Sequence, residues 1–133
     1  MCLGDMGANV IKIERPDGGD DTRRFGPPFL DGQSTYFMSI NRNKRSIALD
    51  LKHADSKAII NRLLASADIV LENFRPGTMD KLGYGKTECW SINPKLIYCS
   101  ISAFGHRGNP EWSTKPGYDL ILQGMGGIPS ITG

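Results

Sequence analysis

Arg15, Lys52 and Lys81 are the residues whose spacing points to chemistry, because each follows a stretch that reads as a β-strand. Residues 9–14 alternate apolar and polar and run into Arg15-Pro16. Residues 46–51 run into Lys52, and residues 68–74 run into Arg75-Pro76, with Lys81 one turn into the next predicted helix. In open α/β sheets the carboxyl ends of the strands border the ligand crevice. A plain dinucleotide ribose suits an acid there, whereas a ribose carrying a phosphate suits an arginine fork. Three strand ends, each with a cation at or just after it, gather positive charge on one sheet edge. A helix opening near Pro76 adds its amino-terminal dipole and free amides. Singly, each cation also suits an ordinary surface position; together they favour a phosphorylated ligand.

The elements that must position these residues alternate. Residues 1–6 read as the end of a helix closed by Gly7 in the C′ position. Residues 34–40 read as a short helix with Ser34 or Thr35 near its N-cap. The spacing of Ile47, Leu49 and Leu51 predicts a strand, and Ala58, Ile59, Ile60, Leu63 and Leu64 give residues 53–66 one apolar side. Residues 68–74 read as a buried strand, 87–92 as a helix, 95–102 as a strand and 116–125 as a last helix, followed by Gly-Gly and an unfinished apolar segment. Residues 17–28 read as a loop. Strands alternating with helices predict an α/β, Rossmann-like parallel sheet. An opening inside a helix predicts a preceding strand outside these residues.

Bulk properties narrow the class. The 133 residues are one domain's worth of chain, and 39% apolar with 23% charged residues fits a globular protein. A net charge of +2 is too small to imply a polyanion partner. No apolar run approaches a membrane span, and the first residues carry no basic leader. Cys2, Cys89 and Cys99 lack C-x-x-C spacing and read as reduced thiols, and His53 and His106 as surface histidines, so no metal site is expected.

Several near-motifs fail on chemistry. Gly85-Lys86-Thr87 resembles the end of a P-loop, but Asp80 stands where its first glycine belongs, and a carboxylate repels phosphate. Gly124, Gly126 and Gly127 suggest a dinucleotide loop, but the third required glycine falls at Pro129. No G-x-S-x-G elbow is present. The basic run 41–45 is short and lacks interleaved aromatics, so nucleic acid is not expected.

The ordered blocks Gly-Ala-Asn-Val-Ile-Lys-Ile-Glu-Arg-Pro (7–16), Gly-Asp-Asp-Thr-Arg (19–23), Gly-Pro-Pro-Phe (26–29), Asn-Arg-Asn-Lys-Arg-Ser-Ile-Ala-Leu-Asp-Leu-Lys (41–52), Glu-Asn-Phe-Arg-Pro-Gly (72–77), Asn-Pro-Lys-Leu-Ile-Tyr-Cys-Ser-Ile-Ser (93–102) and Lys-Pro-Gly-Tyr-Asp (115–119) resemble the family III (CaiB/BaiF-type) coenzyme A transferases. The second and third look most like the succinyl-CoA:glutarate (hydroxymethylglutarate) branch.

The resemblance implies that residues 1–133 form an incomplete CoA-binding Rossmann-like domain, without its first strand or the family's second domain. Arg15 matches the arginine that meets the adenosine end of CoA. Leu49 and Lys52 match positions lining the adenine and phosphates, and Asn73 and Phe74 match the turn against the pantetheine arm. Lys81 stands where relatives often carry a diphosphate-binding arginine; lysine keeps the charge but loses the bidentate fork. Tyr118, a substrate-binding candidate, falls where the family's racemases carry a catalytic histidine. A phenol with pKa near ~10 is a poor proton shuttle at neutral pH, which favours a transferase over an α-methylacyl-CoA racemase.

The family's activity is CoA exchange through an aspartate nucleophile. The resemblance places that aspartate after Gly133, so no catalytic residue is assigned, and Asp119 reads as a helix-start acid. The implied substrates are an acyl-CoA such as succinyl-CoA and a carboxylic acid such as glutarate, with no permanently bound cofactor. The implied assembly is a homodimer, in the mitochondrial matrix or the cytoplasm. The alternative is a non-catalytic CoA-binding module or inactive partner subunit.

Overall fold

A computed structural model describes residues 1–107, 110–113 and 115–132. Gly133, at the end of the last predicted segment, lies outside the described residues. The chain divides into two compact units, residues 1–57 and 58–133.

The first unit opens with α1 (Cys2–Asp5), closed by Gly7 at φ +96°. Strand β1 (Val10–Glu14) follows, then a 3-10 turn (Asp21–Arg24), the hairpin β2 (Phe29–Leu30) and β3 (Gln33–Ser34), α2 (Thr35–Asn41) and β4 (Lys44–Ala48). β1 and β4 pair in parallel, Val10 opposite Lys44 and Glu14 opposite Ala48. Ser34 caps α2: its hydroxyl accepts from the Phe37 amide at 3.2 Å and donates to the Phe25 carbonyl. The hairpin turns at Asp31 and Gly32, both at positive φ. That backbone matches the strand twist and suits an Asp-Gly pair. The buried residues of this unit are Glu14, Ser34 and Ser56, all polar, and the side chains of Glu14 and Ser34 are hydrogen-bonded.

The strand predicted over 46–51 is shifted. It begins at Lys44, after Asn43 turns the chain at φ +61°, and ends at Ala48. Leu49 adds one ladder bond, its amide donating to the Glu14 carbonyl at 2.9 Å. Asp50 then accepts from the Lys52 amide at 2.9 Å, a side-chain-closed turn that stops the strand. Lys52 therefore sits in a turn past the strand end.

Helix α3 (Ala54–Ser66) starts in the first unit and carries the chain into the second. There follow β5 (Ile69–Glu72), α4 (Thr78–Lys81), α5 (Lys86–Ile92), β6 (Ile97–Ser100), α6 (Pro110–Ser113), α7 (Asp119–Met125) and α8 (Ile128–Thr132). β5 and β6 pair in parallel, Glu72 opposite Ser100. Ile60 and Leu64 of α3 are buried, as are Tyr84, Cys89 of α5 and Leu96. Burial pushes the Cys89 thiol pKa up, and it lifts the Tyr98 phenol to about 12, so neither is a ready nucleophile.

Asn93 joins α3 to β6. Its side-chain amide donates to the Leu64 carbonyl at 3.1 Å and the Ala67 carbonyl at 2.8 Å, and its oxygen accepts from the Lys95 amide. Asn93→Ala is expected to cost about 1–2 kcal/mol, because it strips partners from the carbonyls ending α3. Urea denaturation checks this; an unchanged midpoint would show that water replaces these bonds without loss.

The expected α/β arrangement with parallel strands is found: among the described residues the parallel strands form two two-stranded pairs, with the hairpin as a third small sheet. Three further expectations change. β5 is not buried: Ile69 is 48% and Leu71 61% exposed, because one partner strand covers an edge and leaves a face open. The helix predicted from Pro76 starts at Thr78, since Gly77 at φ +79° cannot be helical. With four residues, α4 has little dipole to offer an anion, and Lys81 is its last residue, the end where a cation suits the helix. The last predicted helix starts at Asp119, and the apolar segment after Gly127 folds as α8.

Candidate functional site

The carboxyl end of the β1–β4 pair is the most elaborated part of the first unit. Glu14, whose side chain is 4% exposed, accepts from Arg23 Nε at 2.8 Å and Arg23 Nη2 at 2.9 Å. It also accepts from Ser46 Oγ at 2.8 Å and the Asp20 amide at 3.0 Å. The Arg23 pair, ahead of these other donors, holds the Glu14 carboxyl at a pKa of about 2 against the opposing cost of burial. Asp20 is hydrogen-bonded to Lys12 and caps the 3-10 turn through Thr22. Burial raises its pKa, but those bonds together outweigh it and leave the group at about 2. The Phe37 ring faces Arg23 at 3.9 Å and Lys12 at 4.9 Å, adding cation–π attraction.

Arg15 is the first residue after the strand and is half-exposed. Its Nε donates to the Gly19 carbonyl at 3.1 Å and its Nη2 to Asp21 Oδ1 at 2.5 Å. β1 and β4 run parallel, so their carboxyl ends lie on the same side; Arg15 follows β1 directly, and Lys52 lies in the turn four residues past the end of β4. Leu49, partly buried, directly follows β4.

The second unit repeats the device. Glu72 ends β5, accepts from Ser100 Oγ across the parallel pair, and accepts from the Phe74 amide at 2.8 Å. Asn73 Nδ2 donates to the Ile101 carbonyl at 2.8 Å, so the 73–74 turn is tied to the end of β6. His106 Nε2 lies 2.8 Å from Ser100 Oγ. Because that hydroxyl gives its hydrogen to Glu72, the imidazole is the donor, and Ser100 is not set up as a nucleophile. Phe74 is 44% and Tyr118 67% exposed. Asp119 accepts from Gln123 within α7.

Arg15, Leu49 and Lys52 belong to the first unit, all three after the carboxyl ends of β1 and β4, whereas Asn73, Phe74, Lys81 and Tyr118 belong to the second. Sequence reasoning missed the supporting residues Glu14, Arg23, Ser46, Glu72, Ser100 and His106. An acid ending each of two strands, with a serine in the partner strand, was the available signal. Among the described residues no group of histidines, cysteines and acids could hold a metal ion, and no helix is long and apolar enough to cross a membrane.

Comparison with known proteins gives a consistent result. Residues 1–133 match the family described as CoA-transferase family III. Succinyl-CoA:glutarate CoA-transferase of Mus musculus is 47% identical across the whole chain, which covers 30% of that protein. Acetyl-CoA:oxalate CoA-transferase of Acetobacter aceti is 49% identical, with 98% of this chain and 33% of that one aligned. The crystal structure of a CAIB/BAIF family protein from Brucella suis superimposes with a TM-score of 0.91 at 48% identity, over 98% of this chain and 35% of that one. The chain spans about a third of the length of the curated relatives it matches.

Proposed function

The chain belongs to CoA-transferase family III, and from that premise we propose that it serves CoA exchange between an acyl-CoA such as succinyl-CoA and a dicarboxylate such as glutarate. Its own part is to hold the adenosine and phosphate end of CoA. The observation that carries this reading is Arg15 at the tip of β1, with Lys52 in the turn that follows the parallel strand β4. A bidentate donor and a point charge after the carboxyl ends of parallel strands suit a phosphorylated ribose.

The covalent step is not assigned to a described residue. Glu14 and Glu72 are occupied by hydrogen bonds, and Asp119 serves its own helix. Glutarate is the acceptor favoured by the Gly-Asp-Asp-Thr-Arg and Gly-Pro-Pro-Phe blocks. A mitochondrial or cytoplasmic setting and a homodimer complete the proposal.

Calorimetric titration of the purified chain with CoA and dephospho-CoA, alongside a succinyl-CoA and glutarate exchange assay, tests it. Tighter binding of CoA than of dephospho-CoA is expected. Equal affinities, or no binding of either, would remove the reading. Binding without turnover would leave the chain a CoA-binding module.

A further inference from the structure

The loop at 17–24 lies as two layers on the tip of β1. Beneath, Arg23 grips the buried Glu14; above, Arg15 meets the Gly19 carbonyl and Asp21. Gly19 is what lets these layers close. It sits at φ +69°, and a Cβ there would come within 2.5 Å of Glu14 Oε2 and 2.8 Å of Arg23 Nε. The turn is fixed independently of Arg15, because Glu14 accepts from the Asp20 amide and Asp20 caps the 3-10 turn that carries Asp21.

Both Arg15 contacts fall on one side of the guanidinium. Nε and Nη2 form the lateral edge of the planar fork, and Asp17 Oδ1 also stands 3.8 Å from Nε. No described residue takes the Nη1 hydrogens, so the end-on edge, Nη1 with the second Nη2 hydrogen, keeps its donors. We propose that the turn at 19–21 is a positioning clamp: the Gly19 carbonyl and Asp21 hold the lateral edge of Arg15 so that its end-on edge is pre-oriented for the ribose phosphate of CoA. Asp21 is then a positioning residue that acts through Arg15. This rests on the CoA reading of Arg15.

An acid beside a phosphate site could instead oppose binding. Asp21 is 71% exposed, so its repulsion of a phosphate across the guanidinium is screened by water and salt. An unclamped arginine, by contrast, has several rotatable bonds to freeze when the ligand arrives. Orientation outweighs repulsion.

A double-mutant cycle on the full chain decides the matter, with CoA and dephospho-CoA titrated against the parent, Asp21→Ala, Arg15→Ala and the double variant. Asp21→Ala is expected to weaken CoA roughly 3- to 10-fold with little change for dephospho-CoA, and to have no further effect once Arg15 is alanine. Unchanged or tighter CoA binding in Asp21→Ala overturns the clamp. So does an equal loss in the Arg15→Ala background, because it would mean that Asp21 acts without Arg15. If Arg15→Ala binds CoA as the parent does, the CoA reading of Arg15 fails first and the clamp goes with it.

Discussion

Arg15→Ala is expected to weaken CoA binding by about 1.5–3 kcal/mol, roughly ten- to a hundredfold, while dephospho-CoA loses far less. The magnitude is that of charge-assisted hydrogen bonds to a phosphate, which alanine cannot replace. The substitution removes little else. The Arg15–Asp21 pair is exposed on both sides, and exposed ion pairs contribute ~1 kcal/mol or less to stability. The Glu14–Arg23 bonds beneath do not involve Arg15. A large affinity loss with at most a few degrees' change in thermal midpoint is therefore the expected pattern. Equal losses for CoA and dephospho-CoA would show that Arg15 does not read the ribose phosphate.

Stability is expected to fall steeply in acid, and Glu14→Gln is expected to abolish much of that fall. The Glu14 carboxyl titrates at about 2 in the folded protein against an ordinary 4.5, chiefly because Arg23 is hydrogen-bonded to it. A carboxylate with a depressed folded pKa contributes stability that is complete above the unfolded value. That stability is lost as pH falls through the folded value. The window for Glu14 is thus pH 4.5 down to about 2, and Asp20, lowered from 3.8 to about 2, loses its share over the lower part of that range. Glu14 is nearly inaccessible but Arg23 is 40% exposed, so solvent screens part of the interaction and about 2–3 kcal/mol is the expected loss.

Glutamine keeps the size of Glu14 but turns an NH2 toward the Arg23 guanidinium and leaves that cation without its partner. At neutral pH the variant should unfold at lower denaturant, by a similar 2–3 kcal/mol. Its stability should change less than the parent's between pH 5 and pH 2. A parent-like acid limb in Glu14→Gln would locate the acid sensitivity elsewhere.

Local signals read well. Period-2 alternation located β1, one apolar side located α3, and a serine before an apolar run located the α2 cap. Elements whose limits depend on partners read less well. β4 starts and stops where Asn43 and Asp50 turn the chain, and the hairpin at Asp31-Gly32 is too short for periodicity to register. The exposure of Ile69 and Leu71 was not legible either, because an apolar strand looks the same whether or not a layer covers it.

Amino-acid types in order were sufficient for family membership, for the alternation of strands and helices, and for a cation after each strand tip, since all of these are properties of neighbours along the chain. Which cations are already engaged was decided only on folding. Arg23 and Arg15 look alike in the string, yet one locks onto a buried carboxylate nine residues away, and the other keeps one edge of its fork after meeting an acid six residues on. Ser46 reaches Glu14 across thirty-two residues. Hydrogen bonds of this kind depend on distance and direction in space, which sequence separation does not encode.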